Sequence, residues 1–420
     1  MAEDKNKNLK AEEWQIELDR VGFVRKLWIS RKWYGGDWWF ILISGIILAV
    51  VVIIGLFPRY FAPYNPLEEV GPSFLPPGTP PPGYELIVLD TSGFKSVVDI
   101  TNPEASKAGM NRIGYLVASQ SSRAIRESID KLNQSAPTDN YYQFRPKRYE
   151  SIEEGFKDLL EGKIYGFVAS QEEYKPVIVK FPNFIVIGNV NPEKNQGFVL
   201  GTNQLGQDVL SRIIWGTRIA LTVGLLSAMI SFLIGVPLGL IAGFVSGPFD
   251  RGTTLFMDSL YTFPGLILAI AITAVLGPGI GNIIIAIAVL YIPTYYRIVR
   301  GQTLTVRQEL YVDAARSLGA TPFTILRKYI FPNVFPSVMI IFSVNVADAI
   351  LTEAGLSFLG LGLPPDTPDW GIDIARGRNY IRFAPWLVIA PGLMVTLVTL
   401  SFSMLGESLS EIMNPRLAEL

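Results

Sequence analysis

The sequence contains no cysteine and no histidine among its 420 residues. These absences exclude disulfide bonds, thiolate catalysis, histidine acid–base chemistry and the usual zinc sites. A nucleotide-binding phosphate loop is also missing, because the only Gly-Lys pair, Gly162-Lys163, is followed by Ile164. If ATP drives this protein, a different subunit must hydrolyse it.

Charged residues are scarce, at 17%, whereas hydrophobic residues make up 49% of the chain. The mean hydropathy is +0.33. This balance is too apolar for a typical soluble protein of this length and predicts an integral membrane protein. Because the formal net charge is only −1, no overall electrostatic field would recruit nucleic acid.

Six apolar stretches are each long enough, at about 20 residues, to cross a bilayer as a helix. The first follows a polar segment, residues 1–37, whose Lys and Arg residues predict a cytoplasmic N-terminus. That long polar leader argues against a cleaved signal peptide. An even number of spans returns the C-terminal tail, residues 411–420, to the cytoplasm. The predicted spans are 38–57, 219–244, 253–276, 280–299, 334–358 and 385–405.

Residues 58–200, between the first two spans, have the composition of a soluble domain and would lie outside the cytoplasm. They begin with a Pro-rich linker that is typical of semi-rigid spacers. Alternating strand and helix patterns then predict a small α/β domain. The predicted strands are 112–118, 141–144, 164–169 and 184–190, and the predicted helices are 122–133 and 151–161. Residues 149–168 are similar to a lobe of type II periplasmic binding proteins.

A charged helical hairpin, residues 308–332, lies between the fourth and fifth spans. Its first helix carries the triplet Asp313-Ala314-Ala315, whose small side chains would let a partner approach closely. Gly319 supplies the positive φ of a C-terminal cap. Thr321 and Pro322 have the pattern of an N-cap followed by proline at the first helical position, which predicts a second short helix.

This hairpin resembles the "EAA" loop of ABC importer permeases, with Asp313 where that family usually has Glu and Phe331 where it usually has Leu. Further segments narrow the resemblance to the dipeptide/oligopeptide/nickel importer permeases, specifically the second, "C-type", permease of the pair. Gln207 replaces an Arg often seen in the family, and the first outer loop is much longer than usual. The resemblance covers about residues 20–60 and 197–417, and its further segments are 201–212, 263–270, 353–366 and 368–371.

The resemblance implies a six-helix permease core, residues 201–410 together with the first span, in the inner membrane of a prokaryote. It also implies a second permease subunit, two ATP-binding cassette ATPases and an extracytoplasmic substrate-binding protein. ATP and magnesium would bind the ATPases and no cofactor would bind this chain. The hairpin would dock the ATPases through Asp313, Ala314, Ala315, Gly319, Thr321 and Pro322. Peptides are the expected cargo, and short oligosaccharides or nickel chelates are the alternatives within the family.

Two acidic residues lie in the predicted fifth span, where an ionised carboxylate is costly unless it is paired or hydrated. Asp348 is the deeper one, which favours a place on the pore lining or in an ion pair. Glu353 would face either the pore or the outer headgroup layer. Trp370 lies in a Pro-rich loop that would either gate the mouth of the pore or brace it.

Small and helix-breaking residues indicate a bundle with closely packed helices. Gly224, Gly235, Gly239 and Gly243 would allow close helix contact. Pro237 and Pro264 are expected to interrupt helices.

Two rival functions belong to other classes. A membrane sensor would also have an extracytoplasmic ligand-binding domain, but it would not need an ATPase-docking hairpin and would normally carry a cytoplasmic output domain. A membrane enzyme is disfavoured by the lack of His and Cys and of any acid pair with a recognisable spacing.

Overall fold

The computed structural model describes residues 35–79, 83–93, 112–116, 145–189 and 197–413. Within these residues the chain forms a bundle of long apolar helices and a small α/β domain. The chain is therefore mostly helical, as predicted, and the sheet is consistent with an inserted domain.

The first predicted span is present as helix α1, Gly35–Leu56, followed by a single turn, α2, Pro58–Phe61. Pro58 stands at the start of that turn, where its missing N–H leaves no helical hydrogen bond unmade. From Trp39 onward α1 is apolar over 18 residues, a length close to that needed to cross a bilayer.

The described part of the α/β domain comprises β1 (Tyr84–Leu89), β2 (Arg112–Leu116), β3 (Arg145–Tyr149), α3 (Ile152–Leu160), β4 (Gly166–Ser170), α4 (Gln171–Ile178) and β5 (Phe184–Asn189). The strands form one sheet in the order β3-β2-β4-β1-β5. β2 pairs in parallel with β3 and β4, whereas β1 pairs antiparallel with β4 and β5. Helix α3 buries Phe156 against Phe167 and Phe184, which forms the core of this domain.

Several predicted elements of this domain are present with shifted ends. The predicted strands 112–118, 164–169 and 184–190 correspond to β2, β4 and β5, and the predicted helix 151–161 corresponds to α3. The predicted helix 122–133 and strand 141–144 lie outside the described residues. Strand β1 and helix α4 were not predicted, although Ser170 and Glu173 form a capping box that marks the start of α4.

From Val209 onward the described chain is mostly helical: α5 (Val209–Val245), α6 (Gly247–Thr262), α7 (Gly265–Leu276), α8 (Ile280–Val306), α9 (Leu310–Ser317), α10 (Pro322–Ile325), α11 (Phe331–Phe358), α12 (Trp370–Gly377) and α13 (Trp386–Met413). Five helical stretches of the described chain are long and apolar enough to cross a membrane, with 322–358 taken as one stretch. The number rises to six if the bent pair α6 and α7 forms one span.

Helix α5 is longer than the predicted span 219–244. It begins ten residues earlier, because the Asp208 side chain caps it by accepting a hydrogen bond of 2.8 Å from the Ser211 N–H. Pro237 was expected to interrupt this helix, but it lies inside the continuous α5. The predicted approach segment 201–218 is therefore largely part of the same helix as the span.

The predicted span 253–276 is present as two helices, α6 and α7. The chain turns by 91° between them. The break lies at Phe263 and Pro264, where Phe263 is extended with φ −73° and ψ 136°. Proline has no N–H to continue α6 and disfavours a helical conformation in the preceding residue, so Pro264 interrupts this helix as expected.

Helices α5 and α8 pack closely along a row of glycines on α5. A Cβ atom at Gly239 would lie 2.7 Å from the Tyr296 carbonyl oxygen, and one at Gly235 would lie 2.8 Å from the Ile292 carbonyl oxygen. Gly243 approaches Thr303 in the same way, whereas Gly224 faces Ile350 of α11. These four positions are closely packed, as predicted from the sequence.

Candidate functional site

The charged hairpin, residues 308–332, turns at Gly319. This residue has φ +82°, a conformation that side chains other than glycine rarely adopt. The Ala320 N–H donates to the Ala315 carbonyl at 3.1 Å and the Gly319 N–H donates to the Arg316 carbonyl at 3.0 Å, which closes the end of α9. Thr321 then caps α10 by accepting from the Thr324 N–H at 3.3 Å, with Pro322 at the first helical position.

The second arm of the charged hairpin differs from the expected short, separate helix. After α10, one wider π-helical turn, Leu326–Ile330, leads directly into α11. Phe331 and Pro332 therefore begin the span helix rather than end the hairpin. Because helical geometry is nearly continuous from Pro322 to Phe358, no loop separates the second arm of the hairpin from the span.

The outer face of the charged hairpin exposes large apolar side chains. Leu310, Leu318 and Phe323 are 85%, 89% and 70% exposed. Asp313 and Ala314 are also exposed, whereas Ala315 is buried inside the hairpin. We call these three exposed side chains the apolar rim of the hairpin: Leu310 begins α9, and Leu318 and Phe323 lie on either side of the Gly319 turn.

The two acidic candidates of α11 lie in opposite environments. Asp348 is exposed on the surface of this chain, although its neighbours Ala347 and Ala349 are buried. Glu353 is completely buried, and its Oε1 atom accepts a hydrogen bond of 2.9 Å from Ser357. Asp348 therefore faces away from this subunit's own core, and Glu353 faces into it.

Trp370 is buried rather than placed at an open mouth. Its ring lies against Gly216 of α5, and its Nε1–H donates to the Ile213 carbonyl at 3.1 Å. Trp370 is the first residue of α12, whose N-cap is Asp369. The loop that carries both residues is thus fastened to the bundle.

An ion pair between distant parts of the sequence also holds α12 in place, and sequence reasoning missed it. Arg212 of α5 is almost fully buried, and its Nη2 atom lies 2.7 Å from Asp373 Oδ1 of α12. The same guanidinium group donates to the Thr367 carbonyl at 3.2 Å and to Gln207 Oε1 at 3.0 Å. Burial raises the pKa of Asp373, and the nearby Arg212 charge acts in the opposite direction.

Two features of the sequence hinted at this cluster. Arg212 lies among apolar residues at the start of a span, where an unpaired charge is costly. Gln207, noted as a departure from the family pattern, is one of the partners of Arg212. Within the described part of the chain, no group of three or more Asp or Glu residues is arranged to hold a metal ion.

Comparison with known proteins places these features in a family. Residues 235–419 match the family model described as binding-protein-dependent transport system inner membrane component. The glutathione transport system permease protein GsiD of Pectobacterium atrosepticum is 40% identical over 235 residues, which covers 56% of this chain and 78% of that protein. GsiD of Escherichia coli O1:K1 is 39% identical over the same shares of the two chains.

The chain belongs to the binding-protein-dependent ABC importer permeases. This permease is therefore a membrane transport subunit and not itself an enzyme, as the sequence predicted. Membership implies that it works with ATPase and substrate-binding partners in the inner membrane. Among solved structures, an inward-facing MetNI methionine ABC transporter aligns with 47% of this chain and 96% of its own, at 20% identity and a TM-score of 0.39.

Proposed function

We propose that this permease moves di- or oligopeptides across the cytoplasmic membrane by alternating access, as half of a pore completed by a second permease subunit. Its relatives named GsiD are permeases of glutathione transport systems, and glutathione is a small peptide. Short oligosaccharides and nickel chelates remain the alternative cargoes within the family.

The apolar rim of the charged hairpin is the observation that carries this proposal. Leu318 and Phe323 expose large apolar surfaces on either side of the Gly319 turn, and Leu310 does so at the start of α9. Exposed apolar surface of this kind is typical of a site that a protein partner covers. The partner we assign is one of two ATP-binding cassette ATPases, which would bind ATP and magnesium. Closure of the ATPases would push on the hairpin and, through the π-helical turn, on α11.

The orientation that fits this assignment places the hairpin, the N-terminus and the C-terminus in the cytoplasm. Arg297 and Arg300 would then lie in the cytoplasmic part of α8, and the hairpin side would also carry Arg307, Arg316 and Arg327. That distribution follows the positive-inside rule. Residues 58–200 would lie on the opposite side, where the substrate-binding protein acts.

Asp348 is the acidic residue best placed to contact the translocation path or the second permease. Its side chain is exposed in this chain, although it lies in the middle of a span that lipid alone would not solvate. Glu353 and Trp370 are enclosed by this subunit's own helices. This burial supports a bracing function, rather than a gating function, for the loop before α12.

For the α/β domain we propose contact with the substrate-binding protein or the cargo, and a purely structural scaffold is the alternative. The domain has its own buried core around Phe156. Replacing residues 84–196 with a short Gly/Ser linker should leave the ATPase association unchanged and weaken the affinity for the binding protein. Unchanged affinity and unchanged uptake would favour the scaffold.

The substitution Leu318→Asp tests the docking proposal, because it places a charge in the centre of the apolar rim. We expect the variant to insert normally but to lose co-purifying ATPases and ATP-driven uptake. Leu160→Asp is a matched control, since Leu160 is an exposed leucine of the α/β domain. Equal ATPase recovery with both variants would contradict the proposal.

A further inference from the structure

Two buried carboxyl groups meet where helix α12 rests on helix α11. Glu353 of α11 and Asp369, the N-cap of α12, are both fully buried. They lie within hydrogen-bonding reach of one another. The backbones are also in close contact here, since a Cβ atom at Gly371 would lie 2.3 Å from the Ala354 carbonyl oxygen.

Each carboxyl group has one oxygen with a partner and one without. Glu353 Oε1 accepts from Ser357 at 2.9 Å, and Asp369 Oδ1 accepts from the Ile372 N–H at 2.9 Å. Among the described residues no N–H or O–H group donates to Glu353 Oε2 or to Asp369 Oδ2. Two bare carboxylate oxygens in a dry contact would repel each other strongly.

Positive charge from neighbouring elements does not relieve this repulsion by direct contact. Arg212 of α5 pairs with Asp373, and the two carboxyl groups accept hydrogen bonds from Ser357 Oγ and the Ile372 N–H. The Asp373 carboxylate of α12 interacts with Asp369, and the Arg376 charge on the same helix acts on Asp373. Burial, the largest cause, raises the pKa of Asp369.

We propose that Glu353 and Asp369 share one proton, and that the resulting hydrogen bond latches α12 and its loop onto α11. One O–H donor between the two groups satisfies both orphaned oxygens at once. A carboxylic acid paired with a carboxylate in this way titrates as a unit. Under the proposed coupling to the ATPases, this hydrogen bond makes residues 359–377 move together with α11 when the ATPases push on the hairpin.

The sign of the pH dependence follows from the number of bound protons. Unfolded carboxyl groups are ionised at neutral pH, whereas the folded pair retains one proton, so the folded state binds more protons. Stability must then fall as the pH rises above the unfolded pKa values. Within that window the folding equilibrium changes about tenfold for each pH unit. A cation between two carboxylates would give the opposite slope, because acid would displace it.

The test is the thermal unfolding midpoint of the purified full chain, measured from mildly acidic to alkaline pH. Glu353→Gln replaces the shared proton with an amide N–H that cannot titrate, so the alkaline loss of stability should disappear. Asp369→Asn should do the same while its remaining oxygen still caps α12. Asp366→Asn, at an exposed aspartate of the same loop, should keep the wild-type slope.

The proposal is overturned if Glu353→Gln and Asp369→Asn both titrate like the wild type. It is also overturned if the wild type gains stability with rising pH, as a bound cation would require. Failure of both amide variants to insert would count against it as well, because each keeps a donor in the shared position. Glu353→Ala, which removes the donor, should be less stable than Glu353→Gln at every pH.

Discussion

Arg212 and Asp373 are 161 residues apart in the sequence, yet their side chains form an ion pair that joins α5 to α12 through two guanidinium nitrogens. Arg212 Nε lies 2.9 Å from Asp373 Oδ1, and its Nη2 lies 2.7 Å from the same oxygen. Together with the Trp370 hydrogen bond to Ile213, this pair fixes the loop before α12 on the end of α5. The loop is therefore a rigid part of the bundle.

Removing one partner of this ion pair should destabilise the permease strongly. Arg212→Met leaves the Asp373 carboxylate buried and unpaired, which we expect to cost about 3–5 kcal/mol. The measurement is the thermal unfolding midpoint of the purified chain. The double variant Arg212→Met with Asp373→Leu removes both charges and should recover most of the loss. If the double variant were less stable than Arg212→Met alone, the pair would not be the cause.

The turn at Gly319 should tolerate asparagine but not valine. Valine is β-branched and is strained by about 1–3 kcal/mol at positive φ, whereas asparagine adopts this conformation more readily. A Cβ atom at this position meets no neighbour within 4 Å, so any effect reports the backbone and not a clash. Gly319→Val should lose ATP-driven uptake, and Gly319→Asn should retain most of it. Equal uptake by both variants would show that the turn does not transmit motion.

Acid should loosen the α/β domain through Asp158. Its carboxylate accepts from Lys147 Nζ at 2.6 Å, Tyr149 Oη at 2.9 Å and Lys163 Nζ at 3.2 Å. The Lys147 hydrogen bond is the largest cause that lowers the pKa of Asp158, to about 2. A lowered pKa contributes stability above the unfolded value of 3.8 that is lost as the pH falls towards 2.

The variant Asp158→Asn should therefore lose about 1 kcal/mol of domain stability at neutral pH and be less sensitive to acid. Limited proteolysis of the domain within the full chain, at neutral and at acidic pH, measures both effects. Asp90→Asn is the control, because Asp90 is exposed at the end of β1. An identical acid response in Asp158→Asn and the wild type would refute the assignment.

The proposed orientation can be tested with single thiols, since the chain has no cysteine. Thr91 and Ser317 are both exposed, the first in the α/β domain and the second in the charged hairpin. In cells whose cytoplasmic membrane is intact and whose outer layers admit the reagent, Thr91→Cys should react with a membrane-impermeant thiol reagent. Ser317→Cys should not react. The reverse pattern would show that the permease has the opposite orientation, which would place the hairpin on the side of the membrane away from the ATPases.

Local rules explain which parts of the fold could be predicted. The Gly319 turn and the Thr321 cap depend only on a few neighbouring residues, so their sequence pattern was sufficient. The break at Pro264 was recognised, but not its angle of 91°. Average hydropathy is high on both sides of the proline, and packing against neighbouring helices decides how the two halves diverge.

Long-range contacts account for what the sequence did not reveal. Nothing near Arg212 in the sequence identifies Asp373, and nothing near Glu353 identifies Asp369. Depth along a span made Asp348 a candidate for the pore lining or an ion pair, but the sequence did not reveal which face of the helix each carboxylate occupies, and Glu353 is the one turned inward. Strand β1 was missed because its short apolar run follows a Pro-rich segment and is recognisable only once β4 and β5 flank it.

The central claim is that ATPases dock on the apolar rim around Gly319. A Leu318→Cys variant carries the only thiol of the chain, so a thiol-to-amine cross-linker applied to membranes from the source cells labels a single, known position. We predict a cross-linked product that contains an ATP-binding cassette ATPase, identified by mass spectrometry, and no such product from Thr91→Cys. A Leu318→Cys product that contains no ATPase, or the same ATPase captured from Thr91→Cys, would contradict the account.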